Sequence, residues 1–254
     1  MKELVSHWSV QTKGTKKKLQ RLIGKLNWCA RVIHGGRSFI RNLINLTIRL
    51  KQPHHRVWMS AKAKADIQWW VVALDLFHGT TQFNCDAPLP SHEFSTDACL
   101  TGGGAHYLTE WFHVNWQEDF PEFVGAHINV LELKSVEIAA ELWGERWRGS
   151  HILLRSDNSA TVSAVNKGTS RSCEMLQMAK SLFWLSVKHG FKLSAVHIPG
   201  ILNVLSDHLS RLNEYDAAIK ANDWLTGGLN FDVECCGRMS YGTYCCLQEY
   251  WGQM

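Results

Sequence analysis

The order of strand-like and helical segments after residue 90 constrains the fold of this chain more than any other feature of its sequence. Three short strand-like runs separated by glycine and polar turns come first, at 93–98, 103–108 and 111–116. Helices and strands then alternate, with predicted helices at 130–147, 159–166, 172–188 and after Asn203, and predicted strands at 151–155 and 191–197. Hairpin-connected runs followed by this alternation predict an α/β fold, with one mixed five-stranded sheet flanked by helices.

The part of the chain before these segments differs in pattern and charge. Residues 1–60 carry 13 of the 27 Lys and Arg residues but only one acidic residue, Glu3, whereas the rest of the chain has a net charge of −8. Helical periodicity is predicted at 16–33, 38–50 and 60–77, and a connector with two prolines follows at 84–92. We therefore predict a basic helical region over 1–86, an α/β domain over 92–212 and an irregular tail over 213–254.

Four acidic residues in the α/β region carry the strongest chemical signal. Asp97 lies within the first strand, Glu132 near the start of the long helix, Asp157 directly after the strand HILLRS, and Asp207 in the last helix. Residues at a central strand and at the ends of neighbouring elements can converge at one sheet edge, where like charges repel unless cations neutralise them. Hard oxygen ligands favour Mg²⁺ or Mn²⁺, and two such ions about 4 Å apart support phosphodiester hydrolysis.

Each acidic residue also has a purely structural interpretation. Glu132 lies three residues after Asn129 and could complete a capping box, while Asp157 could cap the helix that begins at Ser159. Asp207 could be a solvated helix residue. Asp97 is the hardest to explain without a function, because an acid within a strand needs a partner.

The residues around these four acids resemble the ribonuclease H domain of retroelement reverse transcriptases. The four matching segments, in order, are FSTDACLTGGGAHY, NVLELKSVEIAAEL, LRSDNSATVSAVNKG and HIPGILNVLSDHLSR. Within that family the likeness is to the DIRS-like, tyrosine-recombinase retrotransposons. The earlier segment LQRLIGKLNWCARVIHGGRSFIRNL looks like the thumb and connection region that precedes ribonuclease H in those polyproteins. The resemblance covers about residues 15–212 and implies a ribonuclease H-like sheet preceded by a small helical thumb/connection-like region.

The resemblance also implies an activity and a set of site residues. Asp97, Glu132, Asp157 and Asp207 match the family's metal-binding and catalytic acids, which hold two Mg²⁺ (or Mn²⁺) ions and cleave the RNA strand of an RNA–DNA hybrid. His197 stands ten residues before Asp207, where many ribonucleases H have a histidine that assists proton transfer or product release. It could equally be a strand-end histidine without a role.

Nucleic-acid contacts are expected from two places. Asn158 and Asn203 lie beside the matched acids, although Asn203 could instead cap the last helix. A basic cluster in the first helical region could grip phosphates non-specifically, or could be a solvated helix face. The cluster comprises Lys16, Lys17, Lys18, Arg21 and Lys25. The turn Gly102–Gly104 could let the backbone approach the minor groove of the hybrid, but an ordinary hairpin turn is the simpler interpretation.

Three functional hypotheses remain open from the sequence. The first is an active ribonuclease H fragment, which lacks a Tyr-x-Asp-Asp polymerase motif and would work with the remaining parts of a retroelement polyprotein. The second is a catalytically decayed remnant that only binds nucleic acid. The third, an integrase or transposase of the same superfold, is weakest because the acids and the HIPGILN segment are accounted for by ribonuclease H.

Composition adds expectations about compartment, cofactors and the tail. No apolar run reaches about 18 residues and the N-terminus has no signal-peptide core, so we expect an intracellular protein, cytoplasmic or nuclear, without a membrane partner. No small-molecule cofactor is expected. Four tail cysteines are interpreted as unstructured thiols, because zinc sites usually show CxxC pairs. These are Cys235, Cys236, Cys245 and Cys246.

Overall fold

A computed structural model describes residues 1–33, 35–77, 89–213 and the backbone of 245–246. The chain forms two compact units. The N-terminal unit comprises the described residues of Met1–Ala87 together with Lys167–Lys180, and the sheet unit comprises the described residues of Pro88–Asn166 and Ser181–Met254. Within these residues, no helix is both long and apolar enough to cross a membrane.

The N-terminal unit is mainly helical. Its helices before the connector are α1 (Lys2–Ser9), α2 (Lys16–Cys29), α3 (Arg41–Ile48) and α4 (Ala61–Leu76). Local hydrogen bonds fix two of the helix starts, since Thr15 Oγ1 accepts from the Lys18 amide at 3.4 Å and Ser60 Oγ from the Ala63 amide at 3.2 Å. The three helices predicted at 16–33, 38–50 and 60–77 correspond to α2, α3 and α4, each of which is shorter than predicted. Helix α1 was not predicted.

A small antiparallel sheet also lies in the N-terminal unit. Strands β1 (Lys13–Thr15) and β2 (Arg56–Trp58) pair with Gly14 opposite Val57. Sequence patterns did not predict this pair, because three residues are too short to show an alternating pattern. Gly14 lies here because a side chain would meet the Trp8 ring at 2.7 Å.

The sheet unit is built on a mixed sheet. Its main strands are β3 (His92–Ala98), β4 (Gly102–Tyr107), β5 (Glu110–Asn115), β6 (His151–Ser156) and β7 (Lys192–His197). The strand order is β7-β6-β3-β4-β5, where the first two pairings are parallel and the last two antiparallel. The predicted mixed five-stranded sheet flanked by helices is confirmed.

One feature of the tail adds to this sheet. The two-residue strand β8 (Cys245–Cys246) pairs antiparallel with Glu110 and Trp111 at the free edge of β5. The interpretation of these two cysteines as part of an unstructured segment is therefore wrong for their backbone. Cys235 and Cys236 lie outside the described residues, and the predicted domain boundaries remain predictions.

Five helices accompany the sheet strands along the chain. They are α5 (Trp116–Asp119), α6 (Ile128–Trp143), α7 (Ser159–Lys167), α8 (Cys173–His189) and α9 (Val204–Ser210). Helix α6 ends at Trp143, four residues before the predicted end. The predicted helix was too long because the apolar pattern includes Trp147. This residue is fully buried, although it lies in the turn region beyond the end of the helix. Burial continues past the last helical residue here, so periodicity alone could not locate the end.

The sequence predicts a hairpin turn at the three consecutive glycines, and this prediction is wrong. Gly102, Gly103 and Gly104 are instead the first three residues of strand β4. A Cβ at Gly102 would meet the Ser210 carbonyl oxygen at 2.6 Å, and a Cβ at Gly104 would meet Leu209 Cβ at 2.5 Å. At Gly103 it would meet Ser135 Oγ at 2.5 Å. The glycines therefore let α9 approach one side of the strand and α6 the other. An approach of nucleic acid to this strand backbone is contradicted by the same contacts.

We expect Gly104→Ala to destabilise the protein by about 1–3 kcal/mol, because the added methyl group overlaps the buried backbone and side chain of Leu209. Gly24→Ala is the matched control: Gly24 lies inside α2 with nothing within 4 Å of its added Cβ. It should instead stabilise its helix by about 0.5–1 kcal/mol. Urea unfolding of both variants measures the difference, and equal effects would contradict the close packing of α9 on β4.

Candidate metal centre

Strand pairing brings two of the predicted acids side by side. Strands β3 and β6 run parallel with Ser95 opposite Arg155, and Asp97 and Asp157 each follow two residues later. Since side chains two residues apart lie on the same face of a strand, both carboxylates reach the same edge of the sheet. Glu132, from the second turn of α6, completes the group: one carboxylate oxygen from each of these three residues lies within 4.8 Å of the others.

The cluster is buried on one side and half-open on the other. Asp97 and Glu132 are each 5% exposed, and Asp157 is of intermediate exposure. Burial raises the pKa of Asp97 to about 6, with further increases from the charges of Asp157 and Asp207. Burial, followed by the charges of Asp97 and Asp157, raises the pKa of Glu132 to about 9. The protein thus holds carboxyl groups where their charged forms are unfavourable.

An unsatisfied oxygen shows that this arrangement fits a cation. Glu132 Oε2 is buried and has no hydrogen-bond partner. A buried acceptor without a donor is costly, and a bound cation would satisfy it while offsetting the mutual repulsion of the three carboxylates. The atoms available to bind the metal are all carboxylate oxygens, the hard ligands that Mg²⁺ and Mn²⁺ prefer. The residues present therefore fit the predicted metal.

Asp207 is close to this cluster but not part of it. Its Oδ1 accepts from Arg211 Nε at 2.8 Å, and both side chains are 42% exposed. Its charge is nevertheless felt at Asp97, whose pKa it helps to raise. The structure thus brings together three of the four predicted acids and places the fourth in an ion pair beside them.

Two polar residues of the closing segment hold the carboxylates in place. Ser210 Oγ donates to Asp97 Oδ2 at 2.7 Å and lies fully buried at the end of α9. Asn203 Nδ2 donates to the Thr96 carbonyl at 3.0 Å and lies 3.5 Å from Asp157 Oδ1. Asn203 is the N-cap residue of α9, as the capping interpretation predicted, but its side chain makes no capping hydrogen bond because it is directed at Thr96 and Asp157. Ser210 was missed, because nothing in the sequence distinguishes it from other helical serines.

The other capping interpretations also change. Asn158, not Asp157, caps α7: its Oδ1 accepts from the amides of Ala160 and Thr161, each at 3.0 Å. Its Nδ2 also donates to Asn129 Oδ1 at 2.9 Å. His127 is the N-cap of α6, so Glu132 is not part of a capping box. Neither Asp157 nor Glu132 is therefore explained by helix capping.

His197 lies at the rim of the cluster. Its ring is exposed, and Nε2 donates to the Asp157 carbonyl oxygen at 2.9 Å. Gly200 follows closely, and a Cβ there would lie 2.9 Å from Asp157 Oδ2. The segment that carries His197 therefore comes directly over Asp157, and a larger residue at position 200 would press on the carboxylate.

The predicted basic cluster lies on α2 and is only partly available to a ligand. Lys16 is half-buried and donates to the Leu50 carbonyl at 2.6 Å, so it helps to hold the N-terminal unit together. The remaining four residues are exposed: Lys17, Lys18, Arg21 and Lys25. They remain candidates for contacts with phosphates.

No family model and no curated protein matches the sequence. Among solved structures, the chain is similar to ribonuclease H1 of the halophilic archaeon Halobacterium salinarum, at 16% identity over 46% of this chain and 92% of that chain, with a TM-score of 0.33. It is also similar to an N-terminal ribonuclease H domain from Mycobacterium tuberculosis, fused to maltose-binding protein, at 13% identity over 52% of this chain and 99% of that chain, with a TM-score of 0.34. A third similar structure is a foamy viral protease-reverse transcriptase in complex with an RNA/DNA hybrid, at 14% identity over 78% of this chain and 27% of that chain, with a TM-score of 0.30.

Proposed function

We propose that this chain is a divalent-metal-dependent endoribonuclease that cleaves the RNA strand of RNA–DNA hybrids. The observation that carries the proposal is the group formed by Asp97, Glu132 and Asp157, whose oxygens lie within 4.8 Å of one another. Three carboxylates held this close, two of them buried, favour a cation site over a structural ion pair. Asp157 is the most exposed of the three, so a phosphodiester would approach the cluster from its side.

The side chains of the cluster would hold the metal, with Asp207 as the proposed fourth acid. Bound Mg²⁺ or Mn²⁺ would lower the pKa of a coordinated water and stabilise charge on the leaving oxygen. Asp207 would join the site by exchanging its ion pair with Arg211 for a cation, and with two ions this is the arrangement that the resemblance implies. Ser210 and Asn203 keep Asp97 and Asp157 in position. His197, at the solvent-exposed rim, can pass a proton between the site and water.

The substrate and biological context are inferred from the motifs. The four segments around the acids resemble ribonuclease H of DIRS-like retrotransposons, and we propose that this chain derives from such an element. The hybrid would also contact Asn158, and the exposed residues of the basic cluster on α2 would hold its phosphates through charge. Other parts of the polyprotein would be partners.

The ion pair of Asp207 with Arg211 favours a second candidate, a remnant that binds the hybrid without cleaving it. A site with three available acids would hold fewer cations than one with four. The two candidates differ in turnover, not in hybrid affinity.

The decisive experiment incubates the purified chain with an end-labelled RNA–DNA hybrid and Mg²⁺. We expect RNA fragments with 3′-hydroxyl and 5′-phosphate ends, and no cleavage of the same sequence as DNA–DNA duplex or in EDTA. Hybrid binding is measured in parallel by fluorescence anisotropy. Binding without cleavage would support the remnant, whereas the absence of both would refute a role in hybrid processing.

A further inference from the structure

A cationic pocket in the N-terminal unit is not explained by the proposed nuclease site. The pocket has a volume of about 550 Å³ and is bounded by α3, the segment that leads into α4, and the residue Arg171. Four cationic side chains line it, and none of its lining residues is acidic. These are Arg41, Arg49, Lys62 and Arg171. None of the four belongs to the basic cluster on α2.

One buried donor in the pocket lacks an acceptor. Arg41 Nε is inaccessible to solvent and makes no well-formed hydrogen bond. Exposed cations are solvated at little cost, but a buried donor without a partner is costly. An anion bound in the pocket would supply the missing acceptor.

The charges in the pocket are also unneutralised by the protein. In the described part of the chain, the side chains of Arg41, Arg49 and Arg171 form no ion pair within 4.0 Å. Lys62 lies 2.9 Å from Cys173 Sγ at the entrance of α8. Three guanidinium groups without a carboxylate partner select for an anion that can accept several hydrogen bonds at once, and phosphate has this geometry.

We propose that this pocket binds a phosphate group carried by a nucleotide. Its volume is larger than phosphate alone requires and falls within the range of about 300–1,000 Å³ typical of small-molecule sites. The apolar side chains of Leu46, Ile48 and Val57 also line it and can contact a sugar or base. The nucleotide is either one unit of a nucleic-acid strand or a free nucleotide. This assignment is independent of the acidic cluster and would hold if the chain were not a nuclease.

The test uses the full chain with two probes that ribonuclease activity does not consume. The first is a fluorescein-labelled single-stranded DNA, and the second is adenosine monophosphate measured by calorimetry, with inorganic phosphate for comparison. The variants are Arg41→Gln and Arg171→Gln. The control is Lys64→Gln, which removes an exposed positive charge from α4 outside the pocket. Arg171 is exposed, so its variant keeps the test meaningful if Arg41→Gln fails to fold.

We expect each arginine variant to bind its probe roughly tenfold more weakly, since a hydrogen bond to a charged group is lost. For DNA, the slope of a plot of log affinity against log salt concentration should also decrease in magnitude by about one for each variant. Weakened DNA binding without measurable binding of adenosine monophosphate assigns the pocket to a strand. Adenosine monophosphate binding that both variants lose assigns it to a free nucleotide. Wild-type affinity of Arg171→Gln for both probes, or an equal loss in Lys64→Gln, would overturn the proposal.

Discussion

Asp157→Asn is expected to lower the rate of RNA cleavage by at least roughly 1,000-fold while leaving the fold intact. The amide is isosteric with the carboxylate but carries no charge, so the cluster loses one of the three groups that would hold the metal. Asp157 is only half-buried, and its backbone contact with His197 is made through the carbonyl oxygen, which the substitution keeps. The loss should therefore be chemical and not structural.

The measurement combines initial cleavage rates on the labelled hybrid with the melting temperature in EDTA. Asp75→Asn serves as the control, because Asp75 is an exposed carboxylate of α4 paired with Lys2 at 3.2 Å, in the other unit of the protein. It should cleave at the parental rate. If Asp157→Asn cleaves as fast as the parent, the acidic cluster is not the catalytic site.

The same substitution should also reduce the electrostatic repulsion on the two remaining carboxylates of the cluster. The charge of Asp157 raises the pKa of both Asp97 and Glu132, so its removal lets each ionise at lower pH. In the absence of metal, the variant is expected to melt no lower than the parent. Lost activity with unchanged or increased stability distinguishes a functional carboxylate from one that stabilises the fold.

The convergence of Asp97, Glu132 and Asp157 could be predicted because each lies at or near the end of a strand or helix that the sequence pattern locates. Asp97 lies near the end of one predicted strand and Asp157 directly follows another, and these two strands run parallel and pair directly. Glu132 was predicted near the start of a helix, and it lies in the second turn of α6. These features depend on local periodicity, which the sequence shows directly.

The contacts that support the acids could not be predicted, because they depend on packing between distant segments. Ser210 reaches Asp97 only because α9 lies against the glycines of β4, which were interpreted as a turn. Asp207 could have joined the other three acids or formed an ion pair with Arg211, and the spacing of the sequence does not determine which of these occurs. The cationic pocket combines α3 with Arg171, which lies 130 residues further along the chain than Arg41.

Glu132→Gln is expected to increase the stability of the metal-free protein at neutral and alkaline pH. In the folded protein the pKa of Glu132 is raised to about 9 from its usual 4.5, so the folded state keeps a proton that the unfolded state releases. This group therefore stabilises the fold fully below pH 4.5, and that stability is lost progressively as pH rises to 9. At pH 7 the loss amounts to about 3 kcal/mol, at 1.36 kcal/mol for each unit of pH.

Glutamine removes this dependence, because it is neutral at every pH. Urea unfolding in EDTA at pH 5, 7 and 9 should show the parent losing stability relative to Glu132→Gln at each step. Glu145→Gln, at an exposed position beyond the end of α6, should follow the parent. Added Mg²⁺ should stabilise the parent at pH 7 and have much less effect on Glu132→Gln, since a cation that binds the folded state shifts the unfolding equilibrium. A constant difference between parent and variant from pH 5 to 9 would show that Glu132 is not held in an unfavourable site. A parent that Mg²⁺ fails to stabilise would instead remove the metal from the proposed mechanism.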